Sequence, residues 1–196
     1  NWRAVLIGHL SKNSLNRGLQ LALNNARHTG FDDARIFESN ALKGIAQLLC
    51  VFQVNRSDQT QDWLDQVEAL SRIETTPPDL VPMTQYLYVR ESDCKIVGVI
   101  QIRHYFNEFL EKYAGHIGYS VCPSERKKGY ATQMLKLVLP ECKKLGIHRV
   151  LICCVQGNEG SRKTILNNGG KYESTVYLKE RDVYLERYWI DLTESA

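Results

Sequence analysis

Long apolar runs are absent from this sequence of 196 residues. A membrane-spanning helix needs about 20 apolar residues in succession, and every apolar run here is shorter. The apolar segment at residues 4–10 is too short and too weakly flanked for a signal peptide. These observations predict no membrane span. Because the chain begins with Asn1 rather than Met, we expect its natural start to lie upstream or to have been removed.

Regularly spaced cysteines are also missing. The six cysteines occupy positions 50, 94, 122, 142, 153 and 154, with no Cys-x-x-Cys pair among them. Disulfide scaffolds and zinc sites depend on such spacings. Four of the cysteines fall within predicted strands or helices, where a free thiol behaves as a small apolar side chain. We therefore expect a reducing, cytoplasmic compartment, no disulfide framework and no metal.

A large excess of charge of either sign is absent as well. Lys and Arg number 25 against 22 Asp and Glu, which gives a net charge of +3. The basic residues are not concentrated in one tail, so a nucleic-acid partner is not expected. Hydrophobic residues make up 43% of the chain. At this length they suit one globular domain, predicted over residues 1–196, with its own core.

The most informative stretch spans residues 115–145. Residues 117–121 alternate between apolar and smaller or polar side chains, which predicts a strand, and Pro123 ends the pattern. Gly146 predicts the end of the helix that follows, while Pro140 is expected to kink or shorten that helix. Its apolar residues recur at helical spacing, at Ala131, Met134, Leu135, Val138, Cys142 and Leu145.

Three cations, Arg126, Lys127 and Lys128, precede this helix. A helix N-terminus carries the positive end of the dipole and unpaired N–H groups, so a helix without a ligand would favour Asp or Glu there. Gly129 would let a ligand approach the backbone. The combination predicts a polyphosphate-binding loop, and a solvated basic turn is the alternative.

The other elements are less distinctive, and residues 1–55 are the hardest to interpret. Strands and helices alternate in the middle of the chain, and hairpins lie at both ends of the better patterned region. This order predicts an α/β (α+β) fold in which helices flank both faces of a mixed sheet. Helices are predicted at 14–27, 39–52, 62–73, 104–114 and 158–168, and strands at 3–10, 85–90, 95–103, 149–155, 172–178 and 183–190.

The segment RKKGYA at residues 126–131 is similar to the Arg/Gln-x-x-Gly-x-Gly/Ala signature of the GNAT superfamily of acyl-coenzyme A N-acyltransferases. The strand GHIGYSV precedes it, and RVLICCV and NEGS follow in the expected order. The resemblance extends over residues 63–191. It implies a GNAT-like fold with a central, mostly antiparallel mixed sheet, and acetyl transfer from acetyl-coenzyme A to an amine.

The same resemblance implies a coenzyme site. It places the pyrophosphate on the backbone amides of residues 127–131, and the pantetheine arm on the exposed backbone edge of the central strand. Asn158 would contact the arm, although Asn is also a favoured helix N-cap. The residues assigned to the coenzyme are Tyr119, Val121, Arg126, Lys127, Lys128, Gly129, Tyr130, Ala131, Asn158 and Ser161.

The general acid departs from the family pattern. Many GNAT enzymes have a tyrosine seven residues after that asparagine, but here the position is Ile165. Either another group, such as Tyr172 or Tyr130, protonates the departing thiolate, or solvent does. Solvent suffices in principle because a thiol with a pKa of about 8.5 is a tolerable leaving group.

His116 is the leading candidate for the general base, because it begins the central strand and histidine titrates near neutral pH. The glutamate position of related enzymes falls on Gly115, one residue earlier, so a bulge would be needed to align His116. A structural histidine is the alternative. His104, Glu108 and Glu111 are the other candidates, and these carboxylates would otherwise suit a cationic acceptor.

These assignments predict an N-acetyltransferase that transfers acetyl directly to a primary amine of a small molecule or a peptide. A non-catalytic acyl-coenzyme A binding module is the alternative function. A route through an acyl-cysteine at Cys122 is disfavoured, because no Cys-His pairing is evident nearby. The final hairpin would suit pairing between two subunits, so a homodimer is also considered.

Overall fold

The computed structural model describes residues 2–6, 60–90, 92 and 95–193. These residues form two antiparallel sheets with helices packed against them. The predicted α/β class, with antiparallel strands flanked by helices, is confirmed, although the single mixed sheet of the prediction is divided in two. The helices predicted at 14–27 and 39–52, and the hairpin turn at residues 93 and 94, lie outside the described residues.

The first sheet contains four antiparallel strands in the order β1–β2–β3–β4. Strand β3 has the bounds predicted from its alternation, and β2 begins two residues before its predicted start. Within the described residues, β4 is the edge strand and forms its ladder with β3 alone. The strands are β1 (Trp2–Leu6), β2 (Met83–Arg90), β3 (Lys95–Arg103) and β4 (Ile117–Val121).

Helix α2 (Tyr130–Lys144) covers one face of this sheet. The alternation of the strands directs Tyr86, Tyr88, Ile100 and Ile102 to that face. Burial of this apolar stripe against the sheet drives the packing, at about 25 cal/mol for each Å² removed from water. The helix meets these residues with the apolar positions that its spacing predicts, Met134, Leu135, Val138 and Cys142.

Pro140 does not shorten helix α2, which was one of its two expected effects, while the other, a kink, stays a prediction. The helix continues to Lys144. Pro140 cannot donate to the Lys136 carbonyl, but both residues lie on the exposed side of the helix, where water can solvate that carbonyl. The missing hydrogen bond is therefore tolerated.

The second sheet has three antiparallel strands in the order β5–β7–β6, namely β5 (Arg149–Val155), β6 (Lys171–Leu178) and β7 (Val183–Asp191). Strand β5 has its predicted bounds and forms one edge. Helix α3 (Glu159–Leu166) connects β5 to β6.

Three predicted helices are shorter in the structure, and α3 loses only Asn158 and the two residues after Leu166 from its predicted range of 158–168. Helix α1 spans Thr60–Ala69 and ends before residue 73, because the hydroxyl groups of Ser71 and Thr75 bind the carbonyl oxygens of Glu68 and Ala69. The helix predicted at 104–114 is reduced to a π-type turn over Leu110–Ala114. None of the helices in the described part of the chain is both long enough and apolar enough to span a bilayer.

The two sheets join at Gly115, His116, Leu151 and Ile152, which we call the junction. Gly115 forms an isolated bridge with Ile152, and the His116 N–H donates to the Leu151 carbonyl at 2.8 Å. Gly115 has φ 74°, and a Cβ there would collide with the Leu151 carbonyl, so only glycine fits. Beyond the junction, β4 and β5 belong to different sheets, and no strand of the described ranges pairs with the second edge of β4.

Candidate active site

The loop from Arg126 to Gly129 leads directly into helix α2. Lys127 and Gly129 both have left-handed backbone conformations, with φ 63° and φ 80°. Among the described residues no side chain caps the helix, and its first turn contains no Asp or Glu. Left-handed residues beside unpaired N–H groups form concave sites that bind anions. The helix N-terminus therefore has the features of a phosphate-binding site.

Space in front of this backbone is open. A Cβ built on Gly129 would have no heavy atom within 4 Å. A ligand can thus reach the N–H groups of the loop at a position that a larger side chain would occupy. The shape and the charge of this end of α2 together fit a pyrophosphate.

Two of the three predicted cations have partners within the protein. The Lys128 Nζ lies 2.9 Å from the buried carboxylate of Glu125, which also binds Arg90 Nη1 at 3.2 Å. Arg126 Nε donates to the Val121 carbonyl at 3.2 Å. Glu125 therefore holds the loop against β2 through Arg90, Lys128 adds a second counter-charge to Glu125, and Arg126 ties the loop to the end of β4. The roles of Glu125 and Arg90 were not predicted.

Tyr119 extends from β4 to helix α3. Its hydroxyl oxygen lies 2.7 Å from Ser161 Oγ and 3.3 Å from the Ser161 carbonyl. Asn158 accepts a hydrogen bond from the Ser161 N–H at 3.1 Å and is the N-cap of α3. The N-cap alternative considered for Asn158 is thus observed. Three residues assigned to the coenzyme from sequence meet where β4 faces the start of α3.

His116 lies at the junction and is buried. Its Nδ1 accepts the Leu151 N–H at 3.0 Å, and its ring centre lies 3.9 Å from that of Phe106. Burial, and then the nearby charge of Arg103, lower the pKa of His116 to about 4. The ring is therefore neutral, with its hydrogen on Nε2, and has little capacity to accept a proton.

The remaining candidates for the base lie between β3 and β4. His104 Nε2 is 2.8 Å from the Thr84 hydroxyl, and burial lowers the pKa of His104. Glu108 and Glu111 are exposed. Arg187 from β7 donates to the backbone carbonyls of Glu111 and Lys112 and thereby holds this segment against the second sheet.

The candidate substitutes for the missing tyrosine are dispersed. Ile165 is fully buried in the core beneath α2. Tyr172 is 57% exposed on β6 and bonds to Thr175. Tyr130 is half-buried at the start of α2, with its ring centre 6.2 Å from that of Tyr88. None of these side chains approaches Ser161 as Tyr119 does.

Three cysteines, Cys122, Cys153 and Cys154, lie near the site. Cys122 is buried, with its sulfur 3.4 Å from the Ser124 hydroxyl. Burial raises the pKa of Cys153 to about 12 and that of Cys154 to about 11. Cys153 and Cys154 are therefore protonated at neutral pH and poor nucleophiles. Among the described residues, no group of three or more His, Cys, Asp or Glu could hold a metal ion.

Comparison with known protein families gives a match over residues 32–171 to the acetyltransferase (GNAT) domain. This match covers more than half of the chain. The protein belongs to the GNAT family. The GNAT assignment agrees with the uncapped α2 terminus and with the open edge of β4, since both suit an acyl-coenzyme A. No curated protein matches the sequence significantly.

Solved structures share the GNAT fold at low sequence identity. The ribosomal-protein-S5-alanine acetyltransferase from Vibrio fischeri matches with a TM-score of 0.62 and 17% identity, covering 98% of this chain and 94% of that protein. RimJ from Mycobacterium smegmatis, solved with CoA-disulfide, matches with a TM-score of 0.61 and 17% identity, and the match covers 99% of this chain and 84% of RimJ. Spermidine N-acetyltransferase SpeG from Vibrio cholerae matches with a TM-score of 0.56 and 11% identity, and the match covers 98% of this chain and 95% of SpeG. These likenesses establish the fold alone.

Proposed function

We propose that this GNAT protein transfers acetyl from acetyl-coenzyme A directly to a primary amine. The observation that carries the proposal is the N-terminus of α2, which is uncapped, free of acidic residues in its first turn and open in front of Gly129. Acetyl-coenzyme A supplies the acetyl group and a pyrophosphate that fits this end of the helix. The non-catalytic alternative has no observation in its favour.

Different segments of the chain bind the pyrophosphate and the pantetheine arm of the coenzyme. The backbone amides of residues 127–131 bind the pyrophosphate, and Arg126 adds a positive charge beside them. The open edge of β4, at Tyr119 and Val121, holds the pantetheine arm by backbone hydrogen bonds. Ser161, in the first turn of α3, borders the arm on the other side.

Amine attack requires that the acceptor ammonium lose a proton. We assign this task to Glu108 or His104, acting directly or through water, because both lie in the segment that leads to the junction. His116 is assigned to the junction itself, since Nδ1 is already engaged by Leu151. Transfer needs no covalent enzyme intermediate, and the thiols of Cys153 and Cys154 are poorly suited to form one.

The acceptor is a small-molecule or peptide amine. Two amines make suitable first probes, a peptide with a free N-terminal alanine and spermidine, because proteins of the same fold are named for acting on such groups. The free thiols of Cys142, Cys153 and Cys154 support a reducing, cytoplasmic location. The homodimer stays a prediction, which light scattering of the purified protein would test.

Calorimetric titration with acetyl-coenzyme A tests the binding site. We expect the native chain to bind and Arg126→Glu to lose most of the affinity. Lys143→Glu makes the same change of charge at the other end of α2 and should bind as the native chain does. Absence of binding to the native chain would overturn the proposal. Binding without thiol release for any amine of a broad panel would favour the non-catalytic module instead.

A further inference from the structure

Tyr119 is the side chain that links β4 to α3. Its hydroxyl group meets Ser161 Oγ at 2.7 Å, so it spans from the edge of the first sheet to the first turn of the helix that follows the second. The arm of the coenzyme is assigned to this same edge of β4. The inference therefore rests on the proposed function. The Tyr119 hydroxyl lies between β4 and α3, along the course that the proposed function assigns to the arm.

The need for such a group follows from the position of Ile165. Ile165 is fully buried and has no hydrogen-bonding side chain, so α3 offers nothing to the departing sulfur at that position. A thiolate, with a conjugate pKa of about 8.5, does not require full protonation to leave. A hydrogen bond that stabilises its negative charge as it forms is sufficient.

The surroundings of Tyr119 suit a donor that keeps its proton. Burial raises the pKa of Tyr119, and the hydroxyls of Ser161 and Thr164 oppose part of that rise. The phenol thus stays neutral at pH values where a thiol ionises. Either hydroxyl of the Tyr119–Ser161 pair can donate to the other. When Ser161 donates, the phenol hydrogen is directed at the Ser161 carbonyl at 3.3 Å, and the sulfur replaces that carbonyl as its acceptor when the coenzyme is bound.

We propose that Tyr119, oriented by Ser161, stabilises the departing thiolate of coenzyme A by donating a hydrogen bond to its sulfur. As the amine nitrogen bonds to the acetyl carbon, the carbon–sulfur bond breaks and sulfur keeps the electron pair. The proton lost by the amine passes to Glu108 or His104, directly or through water, and the free thiolate takes a proton from solvent after it leaves. Tyr119 retains its own proton throughout, so it acts as a hydrogen-bond donor in the place of the missing general acid.

The direct test is the pKa of the coenzyme A thiol bound to the protein, measured from the ultraviolet absorbance of the thiolate in difference spectra with and without ligand. We expect Tyr119→Phe to raise this pKa by about one unit or more, because a hydrogen bond to a charged group is lost. Affinity for acetyl-coenzyme A should change little. With an accepted amine, kcat should fall about 10- to 100-fold.

Tyr177→Phe is the matched control. It removes an exposed hydroxyl that bonds to Asp182 at 2.8 Å, and it should leave the bound thiol and kcat unchanged. Ser161→Ala should raise the thiol pKa by less than Tyr119→Phe does, since the donor remains but loses its orienting partner.

The two proposals fail in different ways. If Tyr119→Phe lowers the melting temperature but leaves the pKa of the bound thiol unchanged, Tyr119 only holds α3 against β4 and the inference is overturned. If the native chain lowers the pKa of the bound thiol in a manner that depends on Tyr119, yet acetylates no amine, the contact is supported and the proposed function is wrong. The thiol titration needs no knowledge of the acceptor.

Discussion

Leu151 donates its backbone N–H to Nδ1 of His116 at 3.0 Å. This bond lies where the two sheets meet, and the His116 backbone returns a hydrogen bond to the Leu151 carbonyl. The sequence favours His116 as a base, but in the structure its imidazole joins the two sheets. It thereby helps to hold β4 and β5 in the arrangement in which they diverge beyond the junction. This bond and the lowered pKa of His116 favour the structural alternative over the catalytic base predicted from the sequence.

The first prediction concerns acid stability. Burial and Arg103 hold the pKa of His116 at about 4 in the folded protein, against 6.5 for an unperturbed histidine. Because the unfolded chain binds the proton more tightly, the stabilisation is present above pH 6.5 and is lost as the pH falls towards 4. The loss should reach about 3 kcal/mol. His116→Gln keeps an acceptor but does not titrate, so chemical denaturation at several pH values should show a weaker acid dependence than the native chain. His148→Gln, at an exposed position, should retain the native dependence.

The second prediction separates the ligand-binding role of Gly129 from its backbone conformation. Gly129 and Gly146 have φ 80° and φ 76°, and a Cβ on either would meet no heavy atom within 4 Å. Alanine at each should cost about 1 kcal/mol in the free energy of unfolding. Only Gly129→Ala should also weaken binding of acetyl-coenzyme A in calorimetry, because its methyl group occupies the approach to the loop. Equal affinities of the two variants for acetyl-coenzyme A would show that the pyrophosphate does not bind at this loop.

The third prediction concerns the carboxylate beneath the loop. Glu125→Gln removes the counter-charge of Arg90 and Lys128 at a position that is 4% exposed. We expect a loss of about 1–3 kcal/mol in the free energy of unfolding, together with weaker binding of acetyl-coenzyme A. Glu141→Gln breaks the more exposed pair of Glu141 with Lys144, which has the same three-residue spacing as the Glu125–Lys128 pair. It should cost less than about 1 kcal/mol in the free energy of unfolding. Similar losses from both would mean that the Glu125 pair does not hold the loop.

The fourth prediction tests the assignment of the base. Glu108 is exposed in the segment before the junction. If it accepts the proton of the amine, Glu108→Gln should lower kcat/KM for the amine by about 100-fold while acetyl-coenzyme A binds as before. Glu180→Gln, exposed in the final hairpin, serves as the control. If Glu108→Gln keeps the native kcat/KM and His104→Gln is inactive, His104 and not Glu108 is the base that accepts the proton of the amine.

Local patterns in the sequence sufficed for much of the fold. The bounds of β3 and β5, the apolar stripe of α2 and the Asn158 cap follow from residues that lie close together in the chain. Periodicity and capping depend on near neighbours, so they can be predicted before any tertiary contact is known. The loop before α2 was also predicted as an anion site, because helix termini have the same unpaired N–H groups in every fold.

The tertiary structure decided what the individual side chains do. His116 and Leu151 are 35 residues apart, as are Arg90 and Glu125, and Tyr119 and Ser161 are 42 apart. The His116–Leu151 and Tyr119–Ser161 pairs depend on how the two sheets meet, and the Arg90–Glu125 pair depends on the strand order of the first sheet. No local pattern encodes either arrangement. The sequence by itself determined most of the strands and helices and the anion-binding features of the loop before α2. Only the packing of the second sheet at the junction placed the His116 ring against Leu151 and brought the Tyr119 hydroxyl to Ser161 at the start of α3.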